Sequence, residues 1–172
     1  TTTTAMRLDV VSSLDSGLAR GVTIGTHDGT FHCDECLAVG LLRMVPLFAS
    51  ATVLRTRDPS LLEKCDVVVD VGGVYDSASK RFDHHQRGFE ETMEKKRTKL
   101  SSAGLVYKHY GLEVVKDQVL FDRIYSSFIE HIDGIDNGQE AFYSADGNSA
   151  EKAYEVSTTL SSRVGRLNPR WN

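Results

Sequence analysis

Asp66-Val67-Val68-Val69-Asp70-Val71, closed by Gly72-Gly73, is the segment that most narrows what this chain can become. A strand with one wet face alternates apolar and polar residues. An unbroken valine run reads instead as a strand covered on both faces, the central position of a parallel sheet. Parallel neighbours need crossover connections, usually helical, so strands and helices must alternate along the flanking sequence. Val22-Thr23-Ile24-Gly25-Thr26 reads as a short buried strand stopped by Asp28-Gly29, and residues 34–45 as a helix stopped by Pro46. Thr52-Val53-Leu54-Arg55-Thr56 is a further strand, and Asp58-Pro59-Ser60 opens a short helix with proline near its start. Arg81-Phe82-Asp83 is a fourth short strand or an extended loop.

Beyond this point helices dominate. Residues 90–99 are charged and read as a mobile loop. Ser101-Ser102-Ala103-Gly104 starts a helix expected to end at Gly111. A longer helix over 116–132 carries Val119, Leu120, Ile124, Phe128 and Ile132 as its apolar stripe, and Asp133-Gly134-Ile135-Asp136-Asn137-Gly138 breaks it. A last helix is expected over 156–166. The fold class is therefore α/β, a Rossmann-like open sheet, mostly parallel, flanked by helices. In such sheets ligands sit beyond the carboxyl ends of the strands. His27, Asp70 and Asp83 fall at those ends.

The polar residues at the strand ends are histidines and carboxylates. Thr26-His27-Asp28-Gly29-Thr30-Phe31-His32-Cys33-Asp34-Glu35 can fold His27, His32 and Asp34 towards one point, although Asp34 could equally cap the helix. Asp70 can bridge two cations, one oxygen to each, or sit in a turn satisfied by its own backbone. In Asp83-His84-His85 one ring can ligate a metal while the other meets a phosphate or donates a proton, with Asp83 orienting a ring. Asp133 and Asp136 lie one helical turn apart and compete for a final carboxylate position. Oxygen and nitrogen donors without thiolates suit Mn²⁺ or Mg²⁺, and a pair of such cations is suited to phosphate-ester hydrolysis. Ser101 and Ser102 at a helix N-terminus could receive a phosphate, with Lys99, Arg163 and Arg166 as weaker candidates.

Composition removes some alternatives. The chain has 172 residues and a net charge of -4, which gives no support for duplex binding through a basic face. Its three cysteines, Cys33, Cys36 and Cys65, form no disulfide framework and point to a reducing compartment. Cys33-Asp34-Glu35-Cys36 has C-x-x-C spacing but no second pair for zinc and no deaminase motif, and is read as core. No apolar run is long enough to span a membrane. Residues 1–20 read as a disordered, frayed or targeting segment, and 21–172 as the folded domain.

The motifs from Thr26 to Glu35, Val68-Val69-Asp70-Val71-Gly72-Gly73, Phe82-Asp83-His84-His85-Gln86 and Thr98-Lys99-Leu100-Ser101-Ser102-Ala103-Gly104 together resemble the melanocyte-proliferating-gene-one family, a branch of the DHH-type phosphoesterases. Asp133-Gly134-Ile135-Asp136-Asn137-Gly138 and Leu167-Asn168-Pro169-Arg170-Trp171-Asn172 extend the likeness. The resemblance implies a two-metal phosphodiesterase, a 3′→5′ exonuclease acting on single-stranded RNA ends, in mitochondria and nucleus, with the cytoplasm and a homodimer left open. It implies that His27, His32 and Asp70 hold one cation, and that Asp34, Asp70, His84 and either Asp133 or Asp136 hold the other. Asp34, Asp83 and His85 would form the catalytic group, with His85 facing substrate. It also implies a second, substrate-binding domain after the Pro-x-Trp-Asn segment, making 21–172 an N-terminal metal-binding domain. A small-substrate phosphatase or pyrophosphatase, and a non-catalytic regulatory domain, are the competing expectations.

Overall fold

The computed structural model of the chain describes residues 9–12, 21–139 and 159–169. Six strands form one sheet: β1 (Val10–Val11), β2 (Thr23–Thr26), β3 (Thr52–Arg55), β4 (Val67–Val69), β5 (Tyr75–Asp76) and β6 (Arg81–Phe82). Their spatial order is β1-β3-β2-β4-β6-β5, and only the β5–β6 pair is antiparallel. The α/β, mostly parallel reading holds. β4 is internal, as its valine run requires. Val67 and Val69 pack into the large core with Ile24, Val53 and Phe82, while Val68 turns to a second cluster with Leu54, Leu62 and Cys65. Burying each such side chain contributes about 1.5–3 kcal/mol. The edge strands β1 and β5 were not anticipated. Two-residue strands carry no readable alternation, and β1 lies in the stretch expected to be outside the domain.

Helix α1 (Cys33–Arg43) follows β2, and a 3₁₀ turn at Pro46–Phe48 leads to β3. Proline ends α1 as expected but also opens that turn. Helix α2 (Pro59–Leu62), capped by Asp58 accepting the Ser60 N–H at 2.8 Å, returns the chain to β4. β3 therefore lies on one side of β2 and β4 on the other. The strand order reverses between β2 and β4, and the crevice beyond their carboxyl ends is the ligand position of such a sheet. His27 and Asp70 are the residues that immediately follow these two strands.

The second half corrects two expectations. Helix α3 (Ser102–Val115) runs through Gly111 and ends at Lys116, which adopts φ 60°. Gly111 is there for closeness: a methyl group at this position would lie 2.8 Å from the Phe121 and Tyr107 rings. Next, α4 (Gln118–Ile124), a π turn (Tyr125–Ile129) and α5 (Glu130–Asp136) follow one another without a break, so the Asp133-Gly134 pair does not stop the helix. The extra residue in the π turn shifts the buried face to Phe121, Tyr125, Ile129 and Ile132. Val119, Leu120 and Phe128 of the expected stripe are exposed. Residues 90–99 are irregular, with one antiparallel bridge between Thr92 and Lys99. The last helix, α6, covers Leu160–Gly165; the part expected at 156–158 lies outside the described residues. No described helix is long and apolar enough to cross a membrane.

Candidate metal centre

Asp70 leaves β4 with φ 57°, a left-handed conformation that aspartate tolerates better than most residues. Gly72 and Gly73 continue the turn at φ 98° and 68°. The resulting position is central and 3% exposed. Its two carboxylate oxygens face opposite ways: Oδ2 lies 3.3 Å from His27 Nε2, and Oδ1 lies 3.4 Å from His84 Nε2. Oδ1 also accepts the Ser102 hydroxyl at 3.1 Å from the start of α3.

Both flanking histidines are held in one tautomer. His27 Nδ1–H donates to the Asp28 carbonyl at 2.9 Å. His84 Nδ1–H faces the Asn137 side-chain oxygen at 3.4 Å. Asn137 is itself oriented, because its amide donates to the carbonyls of Lys99 and Asp133. The proton on Nδ1 leaves Nε2 as the lone-pair nitrogen in each neutral ring, aimed at carboxylates. This is the arrangement by which an outer partner prepares a metal-ligating histidine.

Two groups of candidate donor residues meet around Asp70. His27, His32 and Asp70 bring donor atoms within 4.8 Å of one another, and so do Asp34, His84 and Asp136. His84 Nε2 lies 3.1 Å from Asp136 and 3.8 Å from Asp34. Asp34 is fully buried in the first turn of α1 and does not cap it; His32 holds the cap position, and Glu35 accepts its backbone N–H at 2.7 Å. Asp133 takes no part in these groups. It accepts from the Ser101 N–H at 3.0 Å, the Ser101 hydroxyl at 2.7 Å and the Tyr125 hydroxyl at 3.0 Å. Of the two aspartates that spacing left equivalent, Asp136 reaches the His84 ring and Asp133 ties α5 to α3.

The electrostatics are those of a site short of positive charge. Burial, together with the negative charges of Asp70 and Asp136, pushes the Asp34 carboxyl up to about 9. Asp70 is buried too, which opposes ionisation, yet the His27 and His84 rings beside it, with His85, hold it well below the usual carboxylate range. The Asp70 carboxylate in turn raises His27. Burial works against the His84 cation, but Asp136 and Asp70 bring it up to about 10. His27 Nε2, His84 Nε2 and both Asp34 oxygens are buried and make no hydrogen bond. Buried polar atoms without partners are rare in folded proteins and want an explanation. Oxygen and imidazole donors fit divalent cations such as Mn²⁺ or Mg²⁺.

The other predicted residues divide cleanly. Asp83 accepts the N–H groups of Gly73 at 2.6 Å and His85 at 3.0 Å, and its Oδ1 holds the His85 ring at 2.8 Å. His85 is 62% exposed at its side chain and lies 3.4 Å from Asp70, at the mouth of the cluster. Ser101 and Ser102, read as phosphate ligands, donate to Asp133 and Asp70 instead. Lys99 pairs with Glu90 at 2.7 Å, and Arg163 is exposed on α6. Arg166 follows α6 as its C-cap. Cys33, Cys36 and Cys65 are free thiols. Glu35 was missed: it is 1% exposed, shares a donor group with Asp34 and Asp70, and lies 3.4 Å from Arg55. It also completes a capping box three residues after His32, the commonplace role for a glutamate at that position. An open cleft of about 490 Å³ runs along His32, His85 and Asp136 and continues past Phe31, Ile135 and Asn168.

Comparison with known proteins agrees with these motifs. Residues 23–172 match the family model MYG1_exonuc, described as an uncharacterised protein family (UPF0160). Over 166 residues the chain is 50% identical to the MYG1 exonuclease of Mus musculus, covering 87% of this chain and 42% of that protein. It is 48% identical to the MYG1 exonuclease of Homo sapiens over 87% of this chain and 43% of the relative. Identity is 42% to the MYG1 protein YER156C of Saccharomyces cerevisiae, over 87% of this chain and 48% of that one. The chain thus spans less than half the length of these relatives. No solved structure matches. On the family match and these identities, the chain belongs to the MYG1 family.

Proposed function

We propose that this chain is the metal-binding catalytic half of a divalent-cation-dependent phosphodiesterase of the DHH type, a 3′→5′ exonuclease acting on single-stranded RNA ends. The observation that carries this reading is Asp70: one buried carboxylate with an oxygen towards each of two imidazoles whose buried Nε2 atoms make no hydrogen bond. The names of the mouse and human relatives support nuclease activity. The resemblance supports RNA as the substrate, two Mn²⁺ or Mg²⁺ ions as the cofactor, and mitochondria or nucleus as the place of action. His27, His32 and Asp70 would hold one cation, and Asp34, Asp70, His84 and Asp136 the other.

Such a pair of cations supplies charge to stabilise a phosphoryl group in transfer and lowers the pKa of water. The remaining work falls to the chain. Asp83 fixes the His85 ring through Nδ1, leaving Nε2 as its other proton-carrying position. On the rim of the cleft, that nitrogen can hold a proton for the departing oxygen of a cleaved ester. The depth of Asp34 and Asp70 keeps their carboxylates out of water, where charge interactions are stronger.

The test is incubation of an end-labelled RNA with the protein and Mn²⁺, alongside His84→Ala and His85→Ala. Stepwise shortening from the 3′ end is expected, lost in both variants while circular dichroism stays unchanged. Hydrolysis of pyrophosphate without shortening of RNA, or full activity in His84→Ala, would overturn the reading.

A further inference from the structure

Phe31 stands between two motif histidines, yet its side chain is 38% exposed on the wall of the cleft that His32, His85 and Asp136 also line. An exposed phenylalanine alone needs no explanation. This one is clamped. The Asn168 side chain accepts its N–H at 2.6 Å and donates to its carbonyl at 3.0 Å, so the backbone is gripped from the far end of the chain. The Arg55 guanidinium stacks on the ring at 3.8 Å from the centroid. Arg55 is itself fixed, with Nη1 at 3.4 Å from buried Glu35 and Nη2 donating to the Gly29 carbonyl at 3.2 Å. Glu35 in turn holds the His32 N–H. The ring orientation is therefore tied, through one carboxylate, to the residue that begins α1 and joins His27 and Asp70.

A rigid aromatic ring beside a phosphate-handling centre has a natural ligand in a nucleobase. Every base has a π face, so stacking grips it without reading sequence. We infer that Phe31, backed by Arg55, is the stacking platform for the base of the nucleotide whose phosphate lies at the Asp70 cluster. This rests on the nuclease reading above and adds a named contact for the base. The cleft volume of about 490 Å³ lies within the range of small-ligand sites. Ile135, 47% exposed, provides a second apolar wall. A sequence-tolerant platform next to the reaction centre is what stepwise removal of successive, different nucleotides requires. The position serves as a substrate-positioning residue, since the bond-breaking groups lie elsewhere.

The experiment is fluorescence anisotropy with Ca²⁺ in place of Mn²⁺ to suppress turnover. Two probes are compared: a short labelled single-stranded RNA and an abasic ribose-phosphate oligomer of equal length. Phe31→Ala is expected to weaken the RNA about 5- to 150-fold, the loss of one stacked base. It should leave the abasic oligomer unchanged, and Phe31→Trp should keep wild-type affinity. Calorimetric Mn²⁺ binding by each variant reports an intact metal centre. Equal loss for both probes, or full RNA affinity in Phe31→Ala, overturns the platform and leaves the nuclease reading standing. Failure of the wild-type chain to bind either probe overturns both.

Discussion

Two buried aspartates, Asp70 and Asp133, divide this molecule's chemistry between them. Each is at most 3% exposed and each touches the first residues of α3. Around Asp133 every donor is a neutral group that belongs to the chain: the Ser101 N–H, the Ser101 hydroxyl and the Tyr125 hydroxyl. Even so, burial outweighs those bonds and brings its carboxyl up to about 6. Space is also closed there, since a methyl group at Gly104 would overlap the Asp133 carboxylate. Around Asp70 the Ser102 hydroxyl is joined by titratable imidazoles, and nearby His27 Nε2, His84 Nε2 and both Asp34 oxygens have no hydrogen bond. A satisfied buried carboxylate ties the fold together; a cluster of unsatisfied ones is arranged for something the chain does not supply.

The comparison can be broken from either side. Asp133→Ala strips the partner from three buried donors and should cost about 3–5 kcal/mol of stability, read as a fall in the urea midpoint. Mn²⁺ stoichiometry, measured on the folded fraction, should be retained. The converse is Asp34→Asn, which should reduce Mn²⁺ affinity about 100-fold while raising the Tm of the metal-free chain. The sign follows from linkage. A carboxyl moved from 3.8 to about 9 by folding opposes the folded state at neutral pH, and the amide removes that opposition. If Asp34→Asn lowered the Tm and left affinity unchanged, Asp34 would belong with Asp133.

A smaller effect lies in pH. His84 rises from 6.5 to about 10 on folding, so its contribution to stability is full below 6.5 and disappears as pH climbs towards 10. Asp34 acts in the same direction over its own window. The metal-free chain should therefore lose stability between about pH 6.5 and 9, as monitored by thermal melts. Mn²⁺ affinity should gain about tenfold per pH unit for each proton displaced over the same range. A pH-independent affinity would show that no histidine proton leaves when the cation enters.

Much of the sheet was legible because the signal was local. The valine run, the helix-starting Asp-Pro and the acids at strand ends each announce themselves within a few residues. What escaped depended on packing across the chain. Gly111 reads as a stop but is a point of close approach for Phe121, and the stripe on α4 was misjudged because a π turn is invisible to a 3.6-residue period. Asp133 and Asp136 share spacing and composition; only the depth of α5 against Ser101 separates them. The role of Asn168 at Phe31 spans 137 residues and carries no local mark.

The most direct measurement is calorimetric titration of Mn²⁺ into metal-stripped protein, repeated with Asp70→Ala. Two sites in the wild type, both weakened in the variant because one carboxylate serves both, is the predicted result. Two sites unaltered by Asp70→Ala, or no binding to a chain that circular dichroism shows to be folded, would contradict the bridged centre on which this account rests.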